Sequence, residues 1–109
     1  MHYVDLVVVT LSNNKEYLFR APAWSHLSPD ENVYVDTEIG KAYGTVVGSF
    51  TTGVDLDESE AQLLIKMLHA TLPLKRVLER VVNVKINYDN DPYEELNYEQ
   101  AEQTKEQEA

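Results

Sequence analysis

Three acids in a short stretch come closer to the spacing of a metal site than any other residues in this sequence. Asp55, Asp57 and Glu60 offer carboxylate oxygens, which are the ligands that Ca²⁺ prefers. An EF-hand loop also needs a central glycine and a distant bidentate glutamate, and both are missing here. The same residues are typical of a helix start, with Asp57 as the cap and Glu60 as its reciprocal partner. The sequence therefore predicts a helix here and no metal site.

Other residues that could perform chemistry are scattered along the chain. His2, His26 and His69 are far apart and lack ligand spacing, and the absence of cysteine excludes a thiolate zinc site. There is no glycine-rich phosphate loop and no nucleophile elbow. A serine paired with a distant histidine is an arrangement that any protein offers by chance. We predict that the protein is not an enzyme, with no catalytic residue, no metal and no cofactor.

Aromatic residues are the better candidates for a binding surface. Seven tyrosines and one tryptophan exceed what the core of so small a chain should need. Trp24, Tyr34 and Tyr43 could cluster near one hairpin and its preceding loop, where aromatic side chains often anchor a partner. The alternative is that these rings simply pack across neighbouring strands.

One compact basic group is the second candidate for partner binding. If residues 73–80 are helical, Lys75, Arg76 and Arg80 share the face opposite the apolar stripe. Such a face is often merely solvated, and a nucleic-acid binder ordinarily carries a larger basic excess.

The elements that would position these residues are organised around a hairpin at Asn32 to Phe50. Val33 and Val35 alternate with polar residues, which predicts a half-buried strand. Gly40 stands where a tight turn needs positive φ, and Gly44 and Gly48 predict a bulge or bend in the returning strand.

The remaining pattern predicts strands at 3–11, 17–21 and 82–88, a helix from 57 to 70, and leaves open a second short helix at 73–81. The strand at 3–11 is apolar on both faces and should be central. Asn13 and Asn14 suit the turn that follows it. The predicted fold is α+β: a small curled antiparallel β-sheet or partly open barrel of about five strands with one or two helices.

Part of the chain resembles a known family. The run from Pro29 to Gly40, continued from Tyr43 to Val47, resembles the barrel segment of the bacterial YaaT and RicT proteins, and Leu72 to Val77 resembles the segment that follows it. The N-terminal domain of the primosomal helicase PriA has a similar rhythm. The resemblance implies a non-catalytic adaptor in a bacterial nucleic-acid-handling complex.

Charge is concentrated at the C-terminus. Residues 89–109 hold eight acids and one base, a net −7 out of the chain's −10. Such a composition buries too little apolar area to offset the entropy of folding. We predict one globular domain at 1–88 and a disordered acidic tail at 89–109. Three apolar residues could hold the first part of this tail against the domain: Tyr93, Leu96 and Tyr98.

These observations predict a non-catalytic binding or adaptor domain in a bacterial or mobile-element complex. Another protein is the expected partner; nucleic acid is disfavoured by charge, and no membrane contact is expected because no run of about 18 apolar residues is present. The alternatives are an acidic inhibitor that mimics nucleic acid and a direct binder of single-stranded nucleic acid. Without a secretory signal pattern or cysteines, the expected location is the cytoplasm. Oligomeric state is not predicted.

Overall fold

A computed structural model describes residues 2–81, 84–89 and 93. Its elements are β1 (Tyr3–Leu11), β2 (Glu16–Pro22), β3 (Asn32–Thr37), β4 (Gly40–Gly53), α1 (Ser59–Met67), β5 (Val77–Arg80) and β6 (Val84–Lys85). The strands form one antiparallel sheet in the order β2-β1-β4-β3-β5-β6. The predicted α+β fold with a curled sheet that is not closed is confirmed.

Strand β1 lies between β2 and β4 and is buried on both faces, as its pattern predicts. Its side chains alternate between two cores because successive residues of a strand point to opposite faces. The inner face contains Val7 and Val9, and the outer face contains Val4 and Leu6, which α1 covers. All four side chains are fully buried.

Glycine allows the sheet to curl. The register of β1 and β4 shifts between the pairs Val8–Gly48 and Val9–Val46. Val47 is therefore an extra residue that bends β4, next to Gly48, where a bulge is predicted. A Cβ on Gly44 would lie only 2.5 Å from Cγ1 of Val9, so only glycine fits this close approach. Gly40 has φ +112° in the β3–β4 turn, as predicted.

Helix α1 is shorter than predicted at both ends. It begins at Ser59 after an N-cap at Glu58 that makes no side-chain hydrogen bond, so the predicted capping by Asp57 is wrong. It ends at Met67, and His69 follows with φ +52°. The approach to the helix is instead fixed by Gln62, whose Nε2 donates to the backbone oxygen of Leu56 at 2.6 Å.

The second helix does not form. Residues 77–80 are strand β5, which pairs with β3, and the two preceding residues connect the edge strand β2 to β3. The backbone oxygen of Lys75 accepts from the amide of Arg20 and that of Arg76 accepts from Asp36, each at 2.9 Å. A helix would leave these strand-edge amides without acceptors, which explains why the extended form is preferred.

The structure describes only a few of the residues covered by the C-terminal predictions. Of the strand predicted at 82–88, β6 occupies Val84–Lys85, while residues 82–83 lie outside the described residues. Most of the predicted tail also lies outside them, including Leu96 and Tyr98. Tyr93 is described and is 2% exposed, and its hydroxyl accepts a hydrogen bond from the amide of Leu74 at 2.8 Å. The packed body therefore includes a residue beyond the predicted boundary at 88.

Candidate functional site

The loop between β2 and β3 carries the candidate site. Leu27 anchors it in the inner core with 3% exposure. Trp24, His26 and Asp30 have φ of +64°, +56° and +70°, in the left-handed region that residues with side chains rarely adopt. Backbone of this kind costs about 1–3 kcal/mol per residue and persists only where surrounding contacts impose it.

Asp5 supplies the contacts on one side of this loop. It occupies an inner-face position on β1 and is 3% exposed. Its carboxylate accepts hydrogen bonds from the amide of Trp24 at 3.2 Å, the amide of Ser25 at 3.0 Å and the hydroxyl of Thr51. Hydrogen bonds to a charged acceptor are stronger than neutral ones, so Asp5 fixes the backbone that carries Trp24.

Arg80 supplies the contacts on the other side. Its Nη2 donates to the backbone oxygens of Ser25 and His26, both at 3.0 Å. Its Nε lies 2.6 Å from a carboxylate oxygen of Glu31. Asp5 on β1 binds amides of the loop, and Arg80 on β5 binds its carbonyls. The loop is therefore held from two different strands.

The loop presents Trp24 to solvent. The side chain is 62% exposed, and its ring packs against Tyr3 with centroids 6.0 Å apart and planes tilted by 50°. A large exposed ring on a fixed backbone is typical of an anchor for a binding partner. Trp24 thus occupies a position that suits its predicted role.

Tyr34 and Tyr43 form a separate cluster, so the prediction that Trp24 would join them is wrong. They are cross-strand partners on the outer face, with centroids 5.7 Å apart and an edge-to-face angle of 74°. Lys41 lies 4.7 Å from the Tyr34 centroid and pairs with Glu79. Trp24 is instead near Tyr3, opposite the far end of β4, because its loop folds over the inner face.

The basic face that a helix at 73–80 would give is not present, because its three residues lie in different surroundings. Lys75 is exposed, Arg76 lies over the ring of Tyr88 at 4.7 Å, and Arg80 holds the loop. Neighbouring side chains of extended backbone point in opposite directions, so Lys75 and Arg76 cannot share the face that a helix would give them.

A cavity of about 550 Å³ lies at the other end of the sheet. It is bounded by the β1–β2 hairpin, the β3–β4 turn and the segment 70–75, with the side chains of Phe19, Asp36, His69 and Lys75 among its lining. In the part of the chain that the structure describes, no three His, Asp or Glu side chains come together as a metal-ligand group. This holds for Asp55, Asp57 and Glu60 too.

Sequence reasoning named Trp24 and Arg80 but missed Asp5. The signal was present: Asp5 is a charged residue within a strand that is apolar on both faces. A carboxylate at such a position must be buried, and it therefore needs donors from elsewhere in the chain.

No family model matches the sequence, and no curated protein or solved structure matches it. Among the described residues, no helix has the length and apolar character needed to cross a membrane.

Proposed function

We propose that this protein is a non-catalytic binding module that contacts another protein through Trp24. The observation that supports the proposal is the 62% exposure of Trp24 on a loop that Asp5 and Arg80 hold from two sides. A fixed loop loses little conformational freedom when it binds, so more of the contact energy remains as affinity. Tryptophan is among the residues that contribute most per contact at protein interfaces.

The proposed setting is an adaptor role in a bacterial or mobile-element complex in the cytoplasm. This part of the proposal rests on the resemblance of residues 29–47 to the YaaT and RicT barrel segment. The acidic balance of 19 acids against nine bases favours a partner with a basic surface, since opposite charges speed association. The same balance supports the alternative of a nucleic-acid mimic.

Direct binding of single-stranded nucleic acid is the other candidate, and the Tyr34–Tyr43 pair supports it. Aromatic rings on a sheet can stack with bases when a basic groove follows the backbone of the nucleic acid. Here Lys41, the base nearest the pair, is already bound to Glu79. Because this lysine is neutralised by Glu79, it gives a phosphate backbone no free positive charge beside the pair.

Affinity capture with matched variants tests the proposal. Trp24→Ala removes the proposed anchor, and Tyr43→Ala removes an aromatic side chain that is 50% exposed on the other cluster. We expect the unchanged chain and Tyr43→Ala to capture the same proteins from a bacterial lysate. Trp24→Ala should fail to capture them. Loss with Tyr43→Ala alone, together with salt-sensitive binding of a single-stranded oligonucleotide, would favour the nucleic-acid candidate.

A further inference from the structure

We propose that the Trp24 surface recognises an arginine side chain of the protein partner; this inference rests on the proposed function. The surface is defined as the rings of Trp24 and Tyr3 and the carboxylate of Asp55. The two rings are tilted by 50° at a centroid distance of 6.0 Å, which leaves the Trp24 ring open for a further planar group. Cations bind over aromatic faces, and tryptophan is the strongest of these acceptors.

Asp55 lies on the Tyr3 side of this surface because of a glycine on β4. Gly53 is the register partner of Tyr3, and a Cβ on Gly53 would lie 3.0 Å from Oδ1 of Asp55. Side chains of directly paired residues stand on the same face of a sheet, about 4.5–5.5 Å apart at Cβ. The Asp55 carboxylate therefore occupies the place where a side chain would face Tyr3.

The charges around this surface leave it negative. Asp55 is exposed, and among the described residues it forms no ion pair. Arg80 approaches the same loop, but its charge is balanced by Glu31. Asp5 adds a buried negative charge beneath the backbone of Trp24. A cation is the complementary ligand for this combination of rings and carboxylates.

Arginine suits the surface better than lysine does. Its guanidinium is planar, stacks on aromatic rings and offers two parallel donors to a carboxylate, whereas lysine presents a compact and strongly hydrated charge. A guanidinium stacked on Trp24 can direct its edge toward Asp55. The partner is therefore expected to present an exposed arginine.

Peptide titrations at physiological ionic strength test the inference, since salt then screens the general attraction between a cationic peptide and an acidic chain. The probes are a short peptide that alternates glycine with arginine and its lysine counterpart of the same length, each carrying a fluorescent label for anisotropy. We expect tighter binding of the arginine peptide. Trp24→Leu should weaken it by about fivefold. Asp55→Asn should weaken it by about threefold.

Matched variants separate local recognition from general attraction to an acidic protein. Gly53→Ala keeps the net charge but displaces the Asp55 carboxylate, so it should weaken the arginine peptide as Asp55→Asn does. Tyr43→Leu and Asp57→Asn remove an exposed ring and an exposed acid elsewhere and should leave the affinity unchanged. Equal binding of both peptides, or equal affinity in all variants, would overturn the inference.

The outcomes also separate this inference from the proposed function. If Trp24→Ala abolishes capture of a protein but Trp24→Leu does not change binding of the arginine peptide, the surface binds a partner by other means and the inference is wrong. If the arginine peptide depends on Trp24 while capture does not, the surface binds arginine but the captured partner binds elsewhere, so the proposed function is wrong and the inference falls with it.

Discussion

The carboxylate of Asp5 accepts a hydrogen bond from the backbone amide of Trp24 at 3.2 Å, although 19 positions separate the two residues. A buried residue of the interior strand β1 thereby determines the position of Trp24, the most exposed aromatic ring among the residues that the structure describes. This relationship has consequences for stability as well as for binding.

Replacing Asp5 with alanine should lower the stability of the fold. Two loop amides would lose their acceptor, and an unsatisfied buried donor costs about 1–3 kcal/mol. We expect a loss of about 2 kcal/mol in the free energy of unfolding, measured by urea denaturation. Asp57→Ala, at an exposed position, is the control and should change it by less than about 0.5 kcal/mol.

Asp5 and Arg80 should be energetically coupled because they hold the same loop. Once either contact is lost, the loop can detach, so the second substitution has less left to disrupt. We expect Asp5→Ala and Arg80→Ala together to cost less than the sum of their separate effects. Unfolding of the two single variants and the double variant gives the coupling energy. Strict additivity would show that the two side chains act independently.

Gly44 should not tolerate a side chain, whereas Gly48 should. A Cβ on Gly44 meets Val9 at 2.5 Å and Leu11 at 2.9 Å, while a Cβ on Gly48 meets nothing within 4 Å. Overpacking of this kind costs about 1–3 kcal/mol. We expect a lower thermal midpoint for Gly44→Ala than for Gly48→Ala. The same midpoint for both would contradict the close approach of β1 and β4.

Tyr93 should stabilise the body even though it lies within the predicted tail. It is 2% exposed, and the guanidinium of Arg20 lies 4.5 Å from its ring centroid. Loss of a buried aromatic side chain costs about 3–5 kcal/mol. Tyr93→Ala should therefore greatly reduce the free energy of unfolding, and Tyr43→Ala, at a half-exposed position, should reduce it much less. Equal effects would show that Tyr93 is not part of the core.

Sequence reasoning succeeded where local residues decide the structure. The alternation of Tyr3 to Leu11 is enough to predict a central strand, and Gly40 is enough to predict a turn with positive φ. Asn14 also takes the positive φ of 63° that its turn requires. In each case the signal lies in residues that are adjacent in the chain.

It failed where distant partners decide the structure. The spacing of Leu74, Val77 and Leu78 fits a helical stripe, but the edges of β2 and β3 give this segment hydrogen bonds that a helix cannot use. The binding loop shows the same limit. Trp24 could be named from its type, whereas its support by Asp5 and Arg80 depends on residues 19 and 56 positions away.

The central claim is that Trp24 contacts the partner, and its indole resonance tests this most directly. The sequence contains one tryptophan, so a chain labelled with ¹⁵N-tryptophan gives a single indole signal. When a protein recovered by capture is added to the labelled chain, we expect that signal to shift or broaden as the complex forms. An unchanged indole signal, with the complex verified by co-elution, would contradict the claim.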